Sequence, residues 1–169
     1  MGLRKVKLPA PVGGQLFLSA LPGRFESLAR TQQNIAELGI DRVVCLVPLK
    51  EIEHKSPDYA RAICSGSMLI PWEYFPIQDF GVSPAREAFL ALARSLADRL
   101  ENGEKILIHC SGGVGRSGTL AVSVLLASGL SLKEAQAIVR EAGSQPETEA
   151  QQQLVHWVEQ KTVALHKKV

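Results

Sequence analysis

In the stretch "HCSGGVGRSGT", His109 and Cys110 are followed by five small residues and then by Arg116 and Ser117. A thiol, a run holding Gly112, Gly113 and Gly115, and a guanidinium in that order suit one kind of chemistry. Glycines let successive backbone N–H groups turn inward and form a concave anion site, which the dipole of a following helix reinforces. Arg116 can lay two parallel donors against two oxygens of that anion. A cysteine facing a helix N-terminus is favoured as the thiolate, its nucleophilic form. A phosphate seated on Ser111, Gly112, Gly113, Val114 and Gly115 and gripped by Arg116 would therefore offer its phosphorus to Cys110. His109 would orient the loop from behind, and Ser117 would donate a hydrogen bond to the sulfur as it leaves. The plainer reading is a glycine turn with a core cysteine and a surface arginine.

Phosphoryl transfer to sulfur releases an alkoxide or phenolate that needs a proton, and a carboxylic acid on another loop is the usual donor. Asp79 in "PIQDFGVSP" is the candidate, between a strand ending near Ile77 and a helix starting at Ser83 and Pro84. Its bland alternative is a residue that caps or solvates a turn. Glu73 and Asp58 are less well placed, one in a strand candidate and the other in a helix's first turn.

His-Cys, five residues, then Arg-Ser resembles the signature of the cysteine-dependent protein tyrosine phosphatase superfamily. Within it the chain is most similar to small dual-specificity-like phosphatases of the cyclin-dependent-kinase-associated type. The likeness runs diffusely from "SALPGR" through "ELGIDRVVCLV" and the acid loop to the last helix. The resemblance implies a phosphomonoester hydrolase working through a cysteinyl phosphate, with no metal and no cofactor. Its substrate would be a phosphorylated protein or peptide, carrying phosphotyrosine and, in a shallow pocket, also phosphoserine or phosphothreonine. It also matches Asp79 to the family's acid loop, and "PETEAQQQL" to a Gln-Thr-x-x-Gln loop through Thr148 and Gln151. Gln151 would then align the water that hydrolyses the intermediate, with Gln152 the fallback if the register slips. Glu147 departs from the pattern, standing where a glutamine is usual. The loop interior has no lysine, which favours a phosphoprotein or small phosphomonoester over a highly phosphorylated inositol lipid. In some relatives a cysteine near the strand containing Cys45 forms a reversible disulfide with the nucleophile, whereas the default for Cys45 is a small core residue. Two other readings share the same residues: a phospho-binding module without catalysis, and a small-molecule phosphatase.

Strands and helices must alternate to hold these loops. "QLFLSAL", "DRVVCLV", "SMLIPWEYFPI" and "KILIH" read as strands, the β-branched ones buried in a parallel sheet. Helices are expected over residues 24–38, from Ser56-Pro57 onward, over 83–102, over an apolar central segment at 116–128, behind a Ser131/Glu134 capping box, and over 147–167. This alternation predicts a three-layer α/β domain with a mostly parallel sheet flanked by helices, spanning residues 1–169 as one unit. In such sheets ligands bind at the carboxyl ends of the strands, where His109 and Cys110 fall. Trp72 and Tyr74 could line a phenyl-sized pocket or simply pack, and Arg24 and Lys50 are candidates for the rim.

Composition narrows the class. With 46% hydrophobic and 21% charged residues and a net charge of +2, the chain reads as globular, without a surface for nucleic acid or membrane. The basic bits "RKVK" and "HKK" read as solvated tails. Three cysteines, Cys45, Cys64 and Cys110, fit neither a disulfide framework nor a metal knuckle, which points to a reducing, cytoplasmic location. A monomer is expected.

Overall fold

Runs such as Ile106, Leu107 and Ile108 are apolar at consecutive positions, a pattern stable only where both faces of a strand are covered. The computed structural model, which describes residues 2–67 and 70–166, covers them on both sides. Its strands are β1 (Arg4–Val6), β2 (Gln15–Ser19), β3 (Arg42–Cys45), β4 (Trp72–Tyr74) and β5 (Lys105–His109), in the spatial order β1-β2-β5-β3-β4. β5 pairs in parallel with β2 and β3, β3 in parallel with β4, and only β1 runs antiparallel at the edge. Among the described residues seven helices flank the sheet: α1 (Leu28–Leu38), α2 (Leu49–Lys55), α3 (Pro57–Cys64), α4 (Arg86–Glu101), α5 (Gly115–Ala127), α6 (Leu132–Glu141) and α7 (Glu149–His166). The mostly parallel, helix-flanked sheet expected from the alternation is present.

Alternate strand residues serve two cores. Leu16, Leu18, Val44, Ile106 and Ile108 pack with Leu96, Leu120, Val124, Val139 and Leu154 of the helices α4 to α7. Phe17, Val43 and Leu107 face the other way, onto Ile35 of α1 and Ile40. At roughly 2 kcal/mol for each fully buried aliphatic side chain, this double burial is the main force holding β5 in place. The segment expected as a central helix is α5, buried from Gly115 to Leu126 and packed against α4, α6 and α7. The Ser131/Glu134 capping box is formed as expected.

Several details differ from the sequence expectation. "RKVK" is no tail: Arg4–Val6 is β1, its Val6 fully buried, because an edge strand needs only one inward apolar residue. α1 starts at Leu28, not residue 24, since Ser27 caps it by accepting from the Arg30 N–H. Ser56 precedes α3 but makes no cap; its hydroxyl donates to the Pro22 carbonyl oxygen at 2.7 Å instead. α4 begins at Arg86 and α7 at Glu149, each later than expected. Of "SMLIPWEYFPI" only Trp72–Tyr74 is strand; Met68 and Leu69 lie outside the described residues, as do Lys167, Lys168 and the side chain of Leu165. Among the described residues no helix is long and apolar enough to cross a membrane.

Candidate active site

β5 ends at His109 and α5 starts at Gly115, so Cys110 and the glycine run form the turn at the carboxyl ends of the parallel strands. This turn floors a pocket of about 200 Å³. The Cys110 sulfur is nearly buried, accepts from the Gly113 N–H at 3.2 Å and lies 3.4 Å from the Ser117 hydroxyl. Gly113 has φ +74°, and its backbone is so close to β2 that a Cβ would stand 2.6 Å from the Ser19 carbonyl. Cys110, Ser111, Gly112, Val114, Gly115 and Arg116 all border the pocket.

Arg116 is fixed before any ligand arrives. Both of its terminal nitrogens bond Glu51, at 3.0 Å each, while Nη1 also reaches the Ile77 carbonyl oxygen at 2.9 Å and Nη2 the Asp79 carboxylate at 2.8 Å. Burial disfavours its charge, but the hydrogen-bonded Glu51 together with Cys110 and Asp79 outweighs that and raises its pKa. For Glu51 burial pushes the carboxyl up, yet hydrogen bonds from Arg116 and Lys55 prevail and hold it down to about 2. Lys55 bonds Glu51 at 2.7 Å and Ser111 Oγ at 2.9 Å, and lies 3.5 Å from Asp79. Arg24 donates to the same Ser111 hydroxyl at 2.7 Å. Arg24 and Lys55 therefore stand at the rim, whereas Lys50 points to solvent and does not border the pocket. The reason is helical phase: from Glu51 the next inward position on α2 is four residues on, at Lys55.

His109 is fully buried behind the loop, its Nε2 2.9 Å from the Tyr59 hydroxyl, which accepts from Trp72 Nε1 at 3.1 Å. The indole only donates, so the Tyr59 hydroxyl links Trp72 to the His109 ring. Burial, with the charge of Arg116 nearby, pushes His109 down to about 3. Trp72 and Tyr74 stack on each other away from the pocket, the packing role.

On the opposite wall Asp79 sits at the mouth, followed by Phe80 with φ +56°, a conformation non-glycine residues seldom adopt. Gln151 is buried beside it: its Oε1 accepts from the Glu147 and Thr148 N–H groups, and its Nε2 donates to the Gly81 carbonyl oxygen at 3.1 Å. Gln152 borders a different groove, while Glu147 borders both. Cys45 is buried in β3 beside His109, its thiol 3.7 Å from the Val47 carbonyl oxygen, and burial pushes it up to about 12. All three cysteines are free thiols. Among the described residues no cluster of His, Cys, Asp and Glu could hold a metal ion.

Glu51, Lys55, Tyr59 and Arg4, whose guanidinium bonds the carbonyl oxygen of Gly113, were missed by sequence reasoning. For Glu51 and Lys55 a signal existed, an i, i+4 acid–base pair just beyond a buried strand; for Arg4 there was none.

Residues 19–167 match the family model PTP-SAK, described as Swiss Army Knife protein, DSP-PTPase phosphatase domain. The chain is 36% identical over 104 residues to 067L of Invertebrate iridescent virus 3, named as a candidate tyrosine phosphatase. That alignment takes in 59% of this chain and 40% of the viral protein, so the match spans less than half of that relative. Among solved structures, Tk-PTP in its active form is 30% identical with a TM-score of 0.70, over 93% of this chain and 97% of that one. Kinase associated phosphatase, with its catalytic-site cysteine replaced by serine, reaches a TM-score of 0.79 at 23% identity over 97% of each chain, a likeness of fold. With a family model spanning nearly all of it, from the end of β2 through α7, the chain belongs to the DSP-PTPase phosphatase domain family.

Proposed function

We propose that the protein is a metal-free phosphomonoester hydrolase acting on phosphoprotein through a cysteinyl-phosphate intermediate. The observation that carries this reading is the Cys110 sulfur at the floor of the pocket, 3.2 Å from the Gly113 N–H, under a guanidinium held rigid by Glu51. In the first step the thiolate attacks phosphorus, the bond to the substrate oxygen breaks, and Asp79 delivers a proton to that oxygen. Loop N–H groups and Arg116 bind the transferring group, so positioning and charge stabilisation provide most of the rate. In the second step water attacks the phosphorus, Asp79 accepts its proton, and the Cys110 thiolate leaves toward the Ser117 hydroxyl. Gln151 aligns the water; its burial between the acid loop and Glu147 favours it over Gln152, which borders another groove. Arg24 and Lys55, both on Ser111, give the mouth a positive edge for a phosphorylated side chain.

Hydrolysis of para-nitrophenyl phosphate with EDTA present, comparing the parent protein with Cys110→Ser, tests the reading. Activity that survives EDTA and disappears in the variant is expected. Turnover by folded Cys110→Ser, or loss of parent activity in EDTA, would overturn it. A folded parent without activity that still captures phosphopeptides would make it a binding module.

A further inference from the structure

Arg4 comes from the edge strand β1, far in sequence from every motif, yet its guanidinium reaches the back of the nucleophile's loop. Nη1 donates to the Gly143 carbonyl oxygen at 2.6 Å, and Nη2 donates to the Gly113 carbonyl oxygen and, at 3.3 Å, to Ser144 Oγ. The Ser144 hydroxyl donates to the same Gly113 oxygen at 2.5 Å. Gly113 is thus fixed from three sides: Arg4 and Ser144 hold its carbonyl, β2 presses on its Cα, and its N–H points at the Cys110 sulfur. The Gly113 N–H and C=O lie in neighbouring peptide planes joined at its Cα, so with that Cα pressed against β2, holding the carbonyl limits how far the amide can swing from the sulfur.

The other contacts of Arg4 point the same way. Arg4 is half-buried, and among the described residues it makes no ion pair with a carboxylate; its hydrogen-bond partners are two carbonyls and a hydroxyl, all behind the loop. Burial lowers its pKa, and the charge of Cys110 opposes that.

We propose that Arg4 is a positioning residue for the nucleophile, aiming the Gly113 amide at the Cys110 sulfur. The inference rests on Cys110 being the nucleophile of the proposed reaction. A purely structural role, tying β1 to the turn at Gly143, would predict lower stability and an unaltered thiol.

Three variants separate these roles: Arg4→Met, Arg4→Lys and Ser144→Ala. Each is read by thermal unfolding, by the pH profile of iodoacetamide alkylation at Cys110, and by kcat and KM for para-nitrophenyl phosphate. In folded Arg4→Met, alkylation near pH 6 is expected to slow about fivefold, as for one weakened hydrogen bond to the sulfur, with its profile moved to higher pH. kcat should fall by a similar factor with KM little changed. Arg4→Lys, which keeps a donor, should recover most of the alkylation rate. Ser144→Ala, which keeps Arg4 and loses one donor, should fall between. A lower melting temperature with the parent's alkylation profile and kcat would overturn the proposal. If Arg4→Met does not fold, parent-like profiles and kcat in both other variants overturn it equally. Alkylation reads the thiol directly: if it shifts as expected while no form turns over substrate, the phosphatase reading falls and the positioning role stands.

Discussion

If Asp79 is the acid of the proposed reaction, it is held in the wrong place for the first step. Arg116 Nη2 binds its Oδ1 at 2.8 Å and Lys55 stands 3.5 Å from its Oδ2, whereas an acid serving a leaving group must face the substrate's ester oxygen. A phosphate seated on the loop competes for that Nη2 hydrogen, because Nη1 spends both of its hydrogens on Glu51 and Ile77 and Nη2 has only the one on Asp79 to give up while Glu51 stays bound. Substrate binding then frees the carboxyl it needs. Asp79 is the movable partner, with 46% of its side chain exposed, while Arg116 at 2% stays pinned by Glu51. Removing the acid should matter most where the leaving oxygen is most basic. Asp79→Asn is expected to slow phosphotyrosine hydrolysis about a hundredfold and to slow an activated aryl phosphate far less. Steady-state rates across aryl phosphates of graded leaving-group acidity check this, and an equal loss on all of them would move the acid elsewhere.

At the scale of elements, α5 and the turn before α7 meet backbone to backbone. A Cβ on Gly118 would stand 2.5 Å from the Gln145 nitrogen and 2.8 Å from its Cα, with no flexible side chain to yield. Alanine in a helix interior gains up to about 1 kcal/mol over glycine, but overpacking against backbone costs about 1–3 kcal/mol, so the clash wins. Gly118→Ala should therefore lower the melting temperature by several degrees and push the segment bearing Glu147 and Gln151 off the pocket. Thermal unfolding checks the first part, and burst-phase kinetics the second, as a slower breakdown of the phosphoenzyme with the burst retained. Intact stability would refute the contact. The elements most legible in the sequence were those whose signals are local: the buried run of β5, the apolar α5 and the capping box of α6. The chemistry-bearing loop was legible for the same reason, since Cys110 through Ser117 is one contiguous turn. β1 was not, because Arg4–Val6 carries one buried residue and an edge strand needs no alternation. Nor was the seven-residue α2, too short for periodicity to register, although it delivers Glu51 and Lys55. Arg4, Glu51 and Tyr59 reach the loop only through the packing of whole elements, and nothing in their own neighbourhoods marks the destination.

For the whole molecule, the buried site makes folding itself sensitive to acid. His109 titrates near 6.5 in an unfolded chain but near 3 in the fold, so below about pH 6.5 the unfolded chain binds a proton that the folded one refuses. Stability therefore falls as pH drops from 6.5 toward 3, the reverse of a histidine that gains an acidic partner. Glu51 adds to this from lower down: its carboxyl shifts from 4.5 to about 2, so its contribution is complete above pH 4.5 and is lost as pH falls toward 2. Between about pH 6 and 5, where only the histidine difference operates among these two, one uncompensated proton gives a slope of about 1.4 kcal/mol per pH unit. Urea unfolding at a series of pH values should show that slope, and the imidazole signals of His109 in NMR should stay those of a neutral ring down to pH 5. Glu51→Gln should be less stable than the parent at pH 7, with the gap closing only between pH 4.5 and 2. A His109 ring that titrates near 6.5 in the folded protein would mean that burial behind the loop does not hold it neutral. Support for the loop from behind would then have to come from Arg4 and Ser144 alone.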